Sequence, residues 1–277
     1  MFFSFGVLCA LSGLFNKGYA ADNRLLMATT TSTDNTGLLD YLAPYLQADT
    51  GIELNWVAVG TGKALMLGKN CDVDILMVHA PEVEKQFIVD GYGIMRRRIM
   101  YNDFVLIGPA GDPARIGGKT VAEALKTIAL KQAAFVSRGD ESGTHKAEVS
   151  FWAAAGIEVP DKERWYIQTG QGMISSINIA EQINAYTFAD RGTFIKYESN
   201  EKNNPPLVIL VEGDNVLRNQ YSVLKLNPDR CKDVRKDLDK QAKADKFIEW
   251  ITSSKAQQLI RDFKLMGKQL FIPNADS

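Results

Sequence analysis

The chain has little that metal or redox chemistry could use. Its 277 residues include three cysteines and two histidines, and no spacing among them matches a metal site. Neither sign of charge predominates: 32 basic residues stand against 33 acidic ones, a formal net charge of −1. That excludes the basic excess with which a nucleic-acid binder holds phosphates. An anion would have to be held by a local site rather than by an overall field. Apolar stretches of membrane-spanning length are lacking after the N-terminus, so a soluble mature chain is expected. No internal repeat or low-complexity segment is present.

What is present begins with MFFSFGVLCALSGLFNKGYA. It holds one charge, Lys17, and an apolar run from Phe2 to Phe15 that ends in Gly18-Tyr19-Ala20. Small residues at the minus-three and minus-one positions mark a cleavage site, so residues 1–20 read as a secretory signal peptide. No Lys or Arg precedes the run, a departure from the usual signal, and a buried N-terminal helix is the competing reading. Leu8 before Cys9 does not fit lipid attachment. Two cysteines then remain, Cys71 and Cys231. In an oxidising compartment such a pair can bridge, but sequence leaves the pairing open.

Past the signal, short apolar runs alternate with helical patterns. Leu25–Ala28, Ile52–Val59 and Val73–Val78 read as strands, with helices over Leu38–Leu46, Gly62–Leu67 and Pro81–Val89 between and after them. This order implies a parallel sheet with crossover helices. Ile99–Ile107 looks extended, and Gly108–Pro113 is a loop of breakers. A second α/β unit follows: helices at 119–130, 143–155 and 172–184 with strands at 133–137, 165–168 and 185–188. Strands 207–211 and 221–226 and two closing helices, about 240–252 and 254–264, complete the chain. Two α/β units suggest a cleft between them, with ligand groups at the strand-to-helix turns.

Three turns carry the chemistry. Thr29-Thr30-Thr31-Ser32-Thr33 is an unbroken run of five hydroxyls after the first strand. One or two would serve a helix cap and polar loop; five read as donors around an acceptor-only ligand. Gly60-Thr61-Gly62-Lys63 follows the second strand, where glycines admit close backbone approach and a helix start favours an anion. It lacks the spacing of a nucleotide phosphate loop, and an ordinary tight turn is equally compatible. The third is Arg138-Gly139-Asp140-Glu141-Ser142-Gly143-Thr144. An arginine fork ends a strand, and Ser142, Gly143 and Thr144 open a helix whose N–H groups point outward. A surface Arg138–Asp140 salt bridge beside a capped helix is the plainer alternative. Burying an oxyanion requires several convergent donors, and this stretch reads as half of an anion clamp.

Catalytic constellations are weaker. Ser142 and His145 are three residues apart and could share a helix face, which keeps a secreted serine hydrolase open. No third orienting group or Gly-x-Ser-x-Gly elbow accompanies them, so an enzyme is not expected. His79 ends the third strand and reads as a structural polar residue. Arg96-Arg97-Arg98 reads as a solvated face.

The segments TTTSTDNTGLL, VGTGKAL, DVDILMVHAPEVE, SRGDESGTHKAE and FADRGTF together resemble the tungstate-binding proteins of bacterial ABC transporters. The resemblance implies a type II periplasmic-binding-protein fold: two α/β lobes joined by two crossover strands, with the ligand cleft between them. Lobe 1 is expected at 21–106 plus 216–277, and lobe 2 at 107–215. It implies a periplasmic protein that captures tungstate, with molybdate sharing the site, and delivers it to the membrane permease of an ABC importer. A monomer without cofactor is expected, the metal entering only as its oxyanion. Carried onto this chain, the oxyanion contacts fall on Thr30, Thr31 and Ser32, on Thr61 and Gly62, and on Arg138, Ser142, Gly143 and Thr144. Which of Thr29 to Thr33 point inward stays open. The Arg-x-Asp-x-Ser-Gly-Thr segment also resembles that of phosphate-binding proteins, where an aspartate accepts the proton of hydrogen phosphate. Tungstate carries no proton near neutral pH, and the hydroxyl-rich loop fits a donor-only cage; Asp140 would then hold Arg138 in place.

Overall fold

The computed structural model describes residues 23–202, 204–231 and 238–275. The signal-peptide reading of residues 1–20 lies outside them. Among the described residues no helix is long and apolar enough to cross a membrane.

Ten strands form one continuous mixed sheet in which two α/β halves share a long central strand. In the first half β1 (Arg24–Thr30) lies between β2 (Glu53–Val59) and β3 (Ile75–Val78), parallel to both. Buried side chains on both faces of β1 and β3 explain their near-continuous apolar sequences. The short α1 (Thr31–Asp34), then α2 (Leu38–Thr50), α3 (Thr61–Asn70) and α4 (Pro81–Val89) make the crossovers. Pro81 opens α4, where a missing N–H costs nothing.

β4 (Gly93–Pro109) runs for 17 residues and joins the halves. Its first part pairs antiparallel with β9 (Arg218–Leu226), as far as Asp103 opposite Arg218. From Phe104 onward it pairs instead with β7 (Tyr186–Asp190) and, from Leu106, with β8 (Leu207–Val211). The second half adds β5 (Phe135–Ser137) between β6 (Tyr166–Gln168) and β7, with parallel pairing. Its helices are α5 (Val121–Lys131), α6 (Gly143–Ala154) and α7 (Met173–Gln182). The chain returns through Asn215–Leu217 into β9, which inserts between β3 and β4. Then α9 (Leu238–Thr252) and α10 (Ser254–Asp262) pack on the first half, their buried Phe247, Ile251 and Ile260 joining Leu38, Leu42 and Met77 in its core. This is the two-lobed α/β architecture expected from the sequence.

Two features depart from that expectation. Arg191–Asn200 is a helix, α8, that the sequence pattern did not reveal. Ile195 packs into the core of the first half while Phe194 and Tyr197 pack into that of the second. A helix held from two sides buries residues around its circumference and loses the one-faced pattern by which helices are recognised. The second departure is Arg96, which does not belong to a solvated face. Its Nε donates to Oε2 of Glu84 at 2.8 Å, and Glu84 is fully buried. Burial drives the Glu84 carboxyl upward in pKa, against the opposing pull of Arg96. Arg97 and Arg98 are exposed.

Cys71 and Cys231 are joined in a disulfide, 160 residues apart in sequence. The bridge ties the end of α3 to the segment following β9, closing the first half at its discontinuity.

Candidate functional site

Parallel pairing places the carboxyl ends of β1 and β2 side by side, with Thr30 opposite Val59. The hydroxyl loop and the Gly60–Lys63 turn therefore emerge together. Thr30 is the N-cap of α1: its Oγ1 accepts from Thr33 N at 3.2 Å and lies 2.7 Å from Thr33 Oγ1 and 3.0 Å from Ser32 Oγ. Thr31 is exposed and Ser32 half-buried. Thr29 is fully buried, and its Oγ1 has no hydrogen-bond partner among the described residues.

Gly60 caps α3 without a side-chain bond, so the N–H groups of Thr61, Gly62 and Lys63 have no intrahelical acceptor. Gly62 is exposed, and nothing lies within 4 Å of where a Cβ would stand. Space for an approaching ligand is thus present at that helix start.

In the second half, Arg138 follows β5. Its Nη2 donates to Asp140 Oδ2 at 2.5 Å, and the two side chains are only 17% and 20% exposed. The expected pairing exists, but it is not a surface salt bridge. Asp140 Oδ1 also accepts from Ser142 N at 3.2 Å. Although burial works against ionisation, hydrogen bonds from Ser142 and the charge of Arg138 hold the Asp140 carboxyl below its ordinary pKa. Arg138 Nε is buried and has no partner among the described residues. A buried cationic N–H left in this condition is costly unless something accepts from it.

Ser142 caps α6 by accepting from His145 N at 3.3 Å. Gly143 and Thr144 then supply the outward N–H groups of the helix start. The Ser142 hydroxyl is thus occupied by capping, while His145 Nδ1 accepts from Glu141 N at 3.1 Å. This arrangement gives Ser142 no activating base and weighs against the hydrolase reading.

The halves approach each other at these turns. A Cβ on Gly143 would lie 3.7 Å from His79 Cε1, so α6 starts against the end of β3. Lys196 Nζ of α8 reaches across to Asn35 O at 2.5 Å. His79 is itself bonded on both nitrogens, Nε2 to Ser32 Oγ at 2.9 Å and Nδ1 to Asn219 Oδ1 at 2.8 Å. Its ring stacks on Tyr221 with centroids 4.7 Å apart. Enclosure by protein holds the imidazole pKa below its ordinary value, with the Asn219 bond and the charge of Asp190 opposing.

Sequence reasoning passed over one further turn, Thr169–Gly172. Gly170 N donates to Arg138 O at 2.8 Å and Thr169 N to Ser137 O at 3.0 Å, which brings it beside Arg138. α7 starts there from Gly172, again with no side-chain cap. The Gly170-Gln171-Gly172 spacing repeats that of Gly60-Thr61-Gly62 and was the available signal.

Known proteins share the fold and much of the sequence. The PBP superfamily domain matches residues 17–255. The tungstate-binding protein TupA of Campylobacter jejuni is 49% identical over 88% of this chain and 88% of its own. The solved structure of the tungstate-binding protein TupA from Desulfovibrio alaskensis is 61% identical, with a TM-score of 0.86 over 91% of this chain and 99% of that one. The tungstate ABC transporter structure from Geobacter sulfurreducens is 42% identical, with a TM-score of 0.73 over 87% and 98% of the respective chains. This chain belongs to the PBP superfamily and, within it, to the family of the tungstate-binding protein TupA.

Proposed function

We propose that the protein is an extracytoplasmic solute-binding protein that captures tungstate, and molybdate at the same site, and hands it to the permease of an ABC importer. In this reading the lobes are residues 21–106 with 216–277, and residues 107–215. The oxyanion sits between them, against Thr30, Thr31, Ser32, Thr61 and Gly62 on one side and Arg138, Ser142, Gly143 and Thr144 on the other. The observation that carries it is the buried Nε–H of Arg138, unpartnered beside the open helix start at Gly143. A tetrahedral dianion accepts from such donors and offers no proton in return.

Phosphate is the second reading, because the Arg138–Thr144 segment would also suit it. It needs an acceptor for the proton of hydrogen phosphate, and Asp140 is the candidate. Both oxygens of Asp140 are already engaged, by Arg138 and by Ser142 N, and this favours tungstate. The test is calorimetric titration of the mature protein with tungstate, molybdate, sulfate and phosphate at neutral pH. Tight binding of tungstate and molybdate with phosphate silent is expected. Tight phosphate binding would make Asp140 a ligand and overturn the donor-only cage.

A further inference from the structure

We infer that His79 decides whether Ser32 can donate to the oxyanion, so that the ligand binds most tightly to the form with protonated His79 and takes up a proton as it binds. The inference rests on the reading that the anion lies against Ser32; His79 is a positioning residue and does not itself contact the ligand.

Each hydrogen bond around His79 takes one proton. Asn219 Nδ2 donates to Asn102 Oδ1 at 2.8 Å, which turns Asn219 Oδ1 toward His79 Nδ1. An amide oxygen accepts only, so Nδ1 carries the hydrogen. In the neutral ring Nε2 is then an acceptor, and the atom facing it is Ser32 Oγ at 2.9 Å. Ser32 has one hydroxyl proton and gives it to His79. Thr30, whose oxygen already accepts Thr33 N, lies 3.0 Å from Ser32 and can pass its own proton in the same direction. With His79 neutral, Ser32 turns only lone pairs toward a neighbouring anion. Protonation at Nε2 reverses the bond: the imidazolium donates to Ser32, the Ser32 hydroxyl proton is released toward the anion, and a positive charge stands one hydrogen bond behind it.

The groups facing His79 from each packed element pull its protonation in opposite directions. Enclosure favours the neutral form. Asp190, ending β7, favours the charged one, and it is kept as an acceptor by Thr193 N and Oγ1. Tyr221 of β9 lies under the ring face. From the second half comes the electropositive start of α6 at Gly143, which opposes protonation until an anion screens it. Glu84 of α4 accepts from Ala80 N, the next residue along, and is paired with Arg96. A bound dianion adds negative charge beside Ser32 and shifts this balance toward the imidazolium.

Two measurements test it. Proton NMR follows His79 and His145, the two histidines of the chain, with His145→Gln giving the assignment. Saturation with tungstate is expected to raise the pKa of His79 by about one unit or more; an unmoved His79 would overturn the inference. Calorimetry with tungstate in buffers of different ionisation enthalpy, from about pH 8 downward through the ordinary imidazole value of about 6.5, should show proton uptake and an affinity rising by up to roughly tenfold per pH unit fallen. In His79→Gln, which keeps a polar partner for Ser32 but cannot titrate, the uptake and the slope should vanish. Equal slopes in wild type and variant would refute the role of His79. A wild-type protein that binds no tungstate at any pH would instead refute the proposed function.

Discussion

The two halves of the molecule approach one cleft with different chemistry. The first, assembled from both ends of the chain and clamped by Cys71–Cys231, offers hydroxyls and backbone N–H groups of α1 and α3. The second is continuous, contains no cysteine, and brings the guanidinium of Arg138 with the start of α6. In the proposed site, neutral donors would shape a cage that a neighbour such as His79 could re-aim, whereas a fixed cation would supply attraction at any pH. Affinity should therefore be concentrated in the second half and its adjustment in the first.

The sharpest way to break this contrast is Arg138→Glu. Replacing the cation by a carboxylate beside Asp140 should lower tungstate affinity more than a thousandfold, about 4 kcal/mol or more, as read by calorimetry. Retained affinity would move the charged contact elsewhere. Next in size is Cys71→Ser, which frees a loop of 160 residues. Chain-entropy arguments give about 4–5 kcal/mol of lost stability, measured by urea unfolding. If the clamp serves the first half alone, transitions followed by first-half and second-half probes should separate.

A third test concerns Glu148, buried in α6 and accepting from Tyr166 OH at 2.7 Å and Trp152 Nε1 at 3.2 Å. Burial pushes its carboxyl up to about 7, whereas an unfolded glutamate titrates near 4.3. The folded state holds this proton more tightly, so the ionisation penalty is absent at low pH, grows between those two values and is complete above about pH 7. Glu148→Gln should therefore stabilise the protein at pH 8 by up to about 3 kcal/mol relative to its effect at pH 4, seen as a widening gap in Tm. Smallest is Ser142→Ala, which removes the α6 cap. It should cost about 1 kcal/mol of stability and less than tenfold in tungstate affinity, because the N–H groups of Gly143 and Thr144 remain.

Much of this was legible in the sequence because β1 and β3 are buried on both faces and bounded by turn residues. β1, β3 and α4 appear in the structure within about two residues of the pattern that predicted them. α8 was hidden because both halves press on it. The start of β4 was hidden by Arg96–Arg98, whose charges read as a surface until Glu84 is seen behind Arg96. At the site, residue types were readable and their connections were not. Ser32 and His79 are 47 residues apart, and His79 and Asn219 are 140 apart; no local pattern links them. Cys71 and Cys231 are invisible as a pair for the same reason.

The insertion of β9 between β3 and β4 has a bearing on how the chain assembles. The half that is synthesised first cannot complete its sheet until residues 218–226 arrive, and until then the facing edges of β3 and β4 have no partner. Pairings of such long sequence separation are slow to form, and bare edges invite association with other chains. The second half, whose strands are contiguous in sequence, can close early and serve as the template on which the first is finished. Residues 218–226 thus set the point at which the sheet of the first half can be joined to that of the second.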